Sequence, residues 1–425
     1  PLLQTVSYYM LPNNHVYFNF LNNLLFSWWG NEVVTGRLIS ITAYTGVLLC
    51  AWYWLQRLIP NKPLAFAALL PVALQFTVWG MAAQARGYEG QLCCFWVGFT
   101  ALFLYLQQPR EWLLRLHLLA SIFGFLLVPT YLSCYAAQVL FFFCVMAYNR
   151  QWSWRFFIYQ WLAGGIVFLF YLPAFCFSGV PAFTENRYVI PVYTTWLDFL
   201  PNFFGTLKYF INCCFSMLCG EDRAINFVLF FLPFILFFSH RKERRMAAFG
   251  FTIVWLVYIV LTLNMGRNPN NRNMIMHYSI TMACVVYAFY AMMEKAASLL
   301  KTGKWRRVFL YVFFVAPVLA YCGHLVVTNR RDISFMLYYN DVNEINKNLV
   351  ASMTLIPREA TIGFSNEAFY MYYHFTKNKY KTVKCPDGTE TYFIKQKDDE
   401  MPAAEVGKYD KVNEIYQGYE FYKHK

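Results

Sequence analysis

The stretch RKERRMAAFGFTIVWLVYIVLTLN, residues 241–264, holds both signals that decide the fold. Arg241 to Arg245 form a short, mostly basic link, and Met246 to Asn264 carry no charge at all. An apolar run of that length is close to the roughly 20 residues a helix needs to cross a hydrocarbon core. A helix satisfies its own backbone hydrogen bonds, which lipid cannot do, so the run reads as a spanning helix. Nine more such stretches occur, at 38–56, 64–80, 91–106, 113–128, 131–148, 155–177, 225–239, 274–293 and 308–327, and none of the ten contains an Asp or Glu.

Composition agrees. The 425-residue chain is 58% hydrophobic and 21% aromatic, with only 14% charged residues, unlike an average soluble domain. Its formal net charge of +13 would suit a nucleic-acid partner, but the basic residues follow a different rule. The links 57–63, 107–112, 149–155, 240–245 and 294–307 hold Arg57, Arg110, Arg150, Arg155, Lys242, Arg245, Lys295, Lys301, Lys304 and others. The alternate links 81–90, 129–130, 178–224 and 265–273 hold only Arg86, Arg187, Lys208, Arg223, Arg267 and Arg272, although they are longer in total. Short cytoplasmic loops are enriched in Lys and Arg, so the first set is cytoplasmic and the second faces outward. The positive balance is topology, and no nucleic-acid partner is expected.

The expected fold is therefore an α-helical polytopic membrane protein of about ten spans with a small C-terminal α/β extracytoplasmic domain. Residues 1–37 form an outer-face segment, 38–327 the membrane domain with a long outer loop at 178–224, and 328–425 the C-terminal domain. The orientation, together with a start at Pro1, predicts one more span ahead of the chain. Within the first segment Tyr17, Phe20, Leu21, Leu24, Leu25 and Trp28 recur at helical spacing between Val16 and Trp29. An aromatic-rich helix of that kind lies in the membrane interface, so membrane lipids are partners. The tail predicts helices at Val342–Ser352 and Glu367–Phe375, and strands at Ala360–Phe364 and near Thr391–Lys395. Cysteines within the spans are small apolar filler, and Cys213, Cys214, Cys219 and Cys385 outside them fit no zinc pattern.

Three polar clusters fall on the outer face. Pro12-Asn13-Asn14-His15 leads into the interfacial helix; two amides and an imidazole there suit a phosphate or sugar hydroxyls, or Asn13 or Asn14 simply caps the helix. Ala85-Arg86-Gly87-Tyr88-Glu89 carries the only basic residue of its link. An Arg fork binds phosphate oxygens bidentately, or the side chain snorkels to lipid headgroups. Arg267-Asn268-Pro269-Asn270-Asn271-Arg272-Asn273 suits an anionic ligand with hydroxyls, or is a polar turn. Their convergence on one face, beside greasy loops, describes a lipid-phosphate sugar as ligand.

At these residues the chain resembles the C superfamily of membrane glycosyltransferases (GT-C), to which the protein O-mannosyltransferases and the aminoarabinose transferases belong. The resemblance rests on Tyr8 to Val16, on Trp29-Gly30, on Arg37-Leu38 opening a span, and on Ala85-Arg86-Gly87-Tyr88. It implies an inverting enzyme of a bacterial cytoplasmic membrane, with its active site on the extracytoplasmic face. The donor would be a polyprenyl-phosphate sugar, and the acceptor a hydroxyl on a cell-envelope glycan, lipid or protein. By this resemblance Arg86 and Arg272 lie near the donor phosphate with Arg267 as a third. Asn13, Asn14 and His15 border sugar or acceptor, and Tyr88 packs beside them.

One departure matters. The family's catalytic Asp lies upstream of the Asn-Asn-His segment, and residues 1–31 contain no Asp or Glu. The resemblance thus places the base ahead of Pro1, or leaves the chain without one and inactive, and Glu89 is the best carboxylate left on the outer face. The ordinary role of Glu89 would be a partner for Arg86 or a solvated loop charge. No His, Asp and Glu set has metal-ligand spacing. A divalent metal is left open as a cofactor, and no other is called for. A lipid or glycan transporter or flippase is the alternative, and a coupled carrier would bury an ionisable group inside a span.

Overall fold

The computed structural model describes residues 15–29, 32–83, 86–179, 203–205, 223–264, 271–328, 356–365, 371–372, 375–376, 379–383, 388–396, 407–416 and 419–425. Packing divides the chain into two compact units, Pro1–Asn329 and Arg330–Lys425.

The first unit is helical. Helix α1 (Val16–Trp29) leads into α2 (Glu32–Leu58), α3 (Lys62–Ala73), α4 (Phe76–Ala82), α5 (Tyr88–Gln107), α6 (Glu111–Leu127) and α7 (Leu132–Asn149). Helices α8 (Trp154–Ser178), α9 (Arg223–Phe231), α10 (Lys242–Asn264), α11 (Ile275–Ser298), α12 (Gly303–Leu310) and α13 (Ala316–Thr328) follow. Local chemistry sets the boundaries. Asn61 caps α3 by accepting from the Leu64 N–H at 3.3 Å. Extended Val128 before Pro129 ends α6, because a residue preceding proline is pushed out of the helical region. Ser153 caps α8, and Gly179 at φ 74 stops it.

Among the described residues, seven helical segments are long and apolar enough to cross a membrane. All ten expected stretches are helical, but three fall short of that criterion. The stretch expected at 64–80 is two helices: Pro71 withdraws one backbone donor near the end of α3, and extended Gln75 starts α4 on a new course. The stretch at 225–239 passes from α9 into a 3-10 segment, Leu232–Phe238, at Pro233. Helix α6 has 17 residues, roughly 26 Å of rise against a core of about 30 Å.

Helix α11 is the axis of the bundle, with nearly its whole span buried. Polar side chains pin neighbours to it and to one another. The Trp96 indole of α5 donates to Ser279 Oγ of α11 at 3.0 Å. The Trp255 indole of α10 donates to Thr281 Oγ1 at 2.8 Å. Gln138 of α7 donates to the Phe95 carbonyl at 2.8 Å. His117 is fully buried inside α6, held near Gln160 of α8 at 3.4 Å.

The second unit holds a five-stranded sheet of β1 (Thr361–Phe364), β2 (Lys381–Val383), β3 (Tyr392–Gln396), β4 (Tyr409–Tyr416) and β5 (Tyr419–His424), in the order β2-β1-β3-β5-β4. Strand β1 runs parallel to β2 and β3, and β5 runs antiparallel to β3 and β4. Ile362, Phe364, Phe375, Ile394 and Phe421 form its core. The helix expected at Val342–Ser352 lies outside the described residues. Of the one expected at Glu367–Phe375, Met371–Tyr372 and Phe375 are described and are helical.

Lys395 and Glu420 face each other across β3 and β5. Glu420 also accepts from Lys411 at 2.7 Å and from the Tyr422 hydroxyl at 2.7 Å. The Lys411 ammonium, with Tyr422 and Lys395, holds the Glu420 carboxyl down to about 2. A depressed carboxyl contributes stability above its unfolded pKa of about 4, and that contribution is lost as pH falls towards the folded value. In Glu420→Gln, amide exchange by mass spectrometry is expected to quicken in β3 and β5 at neutral pH. The difference from the parent should shrink from about pH 4 downward. A pH-independent difference would remove the ionised carboxylate from the explanation.

Candidate functional site

Three chain segments meet at one end of the bundle. The His15 carbonyl accepts from the Asn19 N–H at 2.8 Å, so the imidazole is carried at the cap of α1. That ring is buried, with Nδ1 3.4 Å from the Leu127 carbonyl at the end of α6. An Nδ1–H donated there leaves Nε2 as the acceptor nitrogen. The Tyr88 ring meets the imidazole edge-on at 4.8 Å. Phe18, Tyr88, Leu127 and Val128 close a small apolar cluster beneath them.

Gly87 makes this approach fit. A Cβ placed on it would lie 2.9 Å from the Leu127 carbonyl oxygen, 3.1 Å from His15 Nδ1 and 3.3 Å from Val128 Cγ2. Its φ of −71° is ordinary, so the requirement is one of space. The Arg86 backbone is anchored where its carbonyl accepts from Ser40 Oγ of α2 at 3.2 Å. The Arg86 side chain is half-buried and makes no ion pair among the described residues.

Glu89 corrects an expectation. It is neither a partner for Arg86 nor a solvated loop charge. It sits in the first turn of α5, is 0% exposed, and neither carboxylate oxygen has a hydrogen-bond partner among the described residues. Cys93, one turn further along α5, packs against Gly46 of α2, which places this face of α5 against α2.

The 3-10 turn Asn271–Met274 carries Arg272 and leads directly into α11. The Trp96–Ser279 hydrogen bond locates that turn. Trp96 lies roughly 12 Å along α5 from Tyr88, and Ser279 roughly 6 Å along α11 from Ile275. Helix α11 runs away from this end, because Glu294 near its far end binds Arg241, whose neighbour Lys242 lies beside Asn149 at the far end of α7. The backbone of Arg272 is therefore at the same end of the bundle as Arg86. Asn13, Asn14 and Arg267 lie outside the described residues. His277 is buried at the start of α11 and packs on Tyr258 at 4.2 Å and Trp255 at 5.2 Å.

Helix α1 is found over the expected residues, but its apolar stripe is turned outward. Val16 and Phe18 pack into the protein, while Leu24 is 38% and Trp28 77% exposed. Tyr17 bridges the two faces, touching Phe123 of α6 at 5.6 Å and Phe170 of α8 at 6.2 Å. Such a helix is anchored at its His15 end and offers its far end to lipid.

No family model and no curated protein matches this sequence. Two crystal structures of ArnT from Cupriavidus metallidurans are similar in fold. The apo form gives a TM-score of 0.58 at 12% identity, covering 99% of this chain and 91% of that one. The form bound to undecaprenyl phosphate gives 0.58 at 11% identity, over 98% and 88%. The similarity runs along nearly the whole chain and is one of fold, an ArnT-like arrangement of helices with a small C-terminal β region.

Proposed function

We propose that this chain is an inverting glycosyltransferase that moves a sugar from a polyprenyl-phosphate donor to a hydroxyl-bearing acceptor at the outer face of a bacterial cytoplasmic membrane. The observation that carries the reading is Arg86: a half-buried guanidinium with no ion pair among the described residues, beside the His15–Tyr88 contact. The ArnT-like fold, one of whose crystal structures is bound to undecaprenyl phosphate, supports it.

The chemistry follows from the groups. A base removes the acceptor hydroxyl proton as that oxygen attacks the anomeric carbon, and the bond from that carbon to the phosphate oxygen breaks. Negative charge grows on the departing polyprenyl phosphate, where Arg86, Arg272 and Arg267 stabilise it. Asn13, Asn14 and His15 border the sugar or acceptor, and Tyr88 positions His15. The base must touch the acceptor, and enclosed Glu89 does not present its oxygens to a ligand. Glu89 is therefore a weak candidate for the base. The acceptor is a cell-envelope glycan, lipid or protein.

The test is turnover of the protein in nanodiscs, with a panel of polyprenyl-phosphate sugars followed by mass spectrometry. Sugar release with at least one donor is expected, and Glu89→Gln should keep it. A loss of about 100-fold or more in Glu89→Gln, with donor binding intact, would instead make Glu89 the base. A second reading, a lipid or glycan flippase, is favoured by the buried, unpartnered Glu89 at a span start, as a coupled carrier requires. Donor translocation without sugar release would select it.

A further inference from the structure

The opposite, basic end of the bundle has a ligand-sized space. Helix α10 opens on Arg241-Lys242-Glu243-Arg244-Arg245, and these cations are not equivalently paired. Arg241 and buried Arg244 both bind Glu294 of α11, Arg241 at 3.4 Å. Arg244 also lies over the Tyr287 ring at 5.8 Å. Lys242 and Arg245, about one helical turn apart, are exposed and make no ion pair among the described residues. Both line a cavity of about 420 Å³ between the last turn of α7, the 3-10 segment Leu232–Phe238 and the start of α10.

The lining has two chemical halves. Lys242, Arg245 and Asn149 offer charge and hydrogen-bond donors, while Phe237, Met246 and Phe249 are apolar. A space of this size falls in the range of small-molecule and cofactor sites. Its depth is marked by aromatics: Tyr148, Trp152 and Trp154 at the α7–α8 link are 83%, 56% and 80% exposed. Exposed Trp and Tyr of that kind sit at headgroup level. The positive-inside pattern makes this the cytoplasmic leaflet, whose anionic lipids attract basic residues placed near the surface.

A soluble anion would use only the cationic half. A glycerophospholipid with a net negative headgroup meets both. Its phosphate oxygens face Lys242, Arg245 and the Asn149 amide, and its upper acyl carbons pack on Phe237, Met246 and Phe249. A zwitterionic lipid would bring its own cation against two unpaired ones. We propose that this cavity binds one anionic glycerophospholipid of the cytoplasmic leaflet, independently of the transfer site at the other end.

The test is native mass spectrometry of the full chain released from nanodiscs of equimolar phosphatidylglycerol and phosphatidylcholine. The parent is expected to retain one phosphatidylglycerol several-fold more often than phosphatidylcholine. Lys242→Gln/Arg245→Gln should lose that preference. Lys301→Gln/Lys304→Gln, exposed cations outside the cavity lining, should keep it. Met246→Trp leaves every charge in place and fills the apolar half, so it should also lose the lipid, which keeps the test decisive if the double variant fails to fold. Millimolar glycerol 3-phosphate should not displace the lipid. Equal retention of both lipids by the parent, equal loss in the two double variants, or full displacement by glycerol 3-phosphate would overturn the proposal.

Discussion

Arg86→Ala is expected to lower polyprenyl-phosphate binding and sugar transfer by about 100-fold or more, the usual consequence of removing one preorganised donor from a developing anion. The guanidinium is half-buried and unpaired among the described residues, so no described carboxylate competes with a ligand phosphate for it. A charge-assisted, two-pronged contact to phosphate is among the stronger polar interactions a side chain makes. Truncation should spare the fold, because the anchoring contact is from Ser40 to the Arg86 backbone carbonyl. Arg86→Lys keeps the charge but loses the fork, so its activity should fall between parent and Ala. Donor affinity by native mass spectrometry and turnover in nanodiscs measure both effects. Parent-like binding and turnover in Arg86→Ala would return the residue to headgroup snorkelling.

Gly87→Ala is expected to damage the same site without removing any functional group. The new methyl would come within 2.9 Å of the Leu127 carbonyl oxygen and 3.1 Å of His15 Nδ1. The first is backbone and cannot swing aside, so α5 must move relative to the end of α6, or His15 must leave its place. Overpacking of this kind costs about 1–3 kcal/mol. The expected outcome is a lower melting temperature together with loss of transfer beyond what the lost stability explains. Gly164→Ala is the control: a Cβ there meets nothing within 4 Å, and helical propensity favours alanine. If Gly87→Ala behaves like Gly164→Ala, the close approach of the three segments does not hold in the membrane.

The membrane fold was legible because hydropathy and basic links are redundant signals. Each apolar stretch found a helix, including α1 with its bounds. What hydropathy could not show is continuity. A window over 64–80 averages across Pro71 and Gln75, where the backbone turns, and a window over 225–239 averages across Pro233. In the second unit the hydrophobic strands β1 and β3 stood out. Strands β2, β4 and β5 did not, because Lys, Asp, Glu and Tyr on them read as solvated surface until Glu420 is seen to gather Lys395 and Lys411.

The site was legible as a set of clusters, and only in part as a geometry. His15, Arg86 and Tyr88 were readable as short motifs, and the contact of His15 with Tyr88 brings two of those motifs together. The role of Gly87 depends on where Leu127 arrives from forty residues further on, which no local pattern carries. Glu89 was misread for the same reason: burial is decided by the packing of α5 on α2, and a charge beside an outer link looks solvated in sequence. The separation of Arg241 and Arg244 from Lys242 and Arg245 is likewise set by the position of Glu294 on a different helix.

The most direct measurement of the central claim is photocrosslinking with a polyprenyl phosphate bearing a diazirine next to the phosphate, in nanodiscs, followed by peptide mapping. We expect labelling on peptides containing Arg86–Tyr88 and Asn271–Met274, competed by unlabelled polyprenyl phosphate and reduced in Arg86→Ala. Competed labelling confined to the basic end around Lys242 and Arg245, or no competed labelling anywhere in well-folded protein, would contradict it.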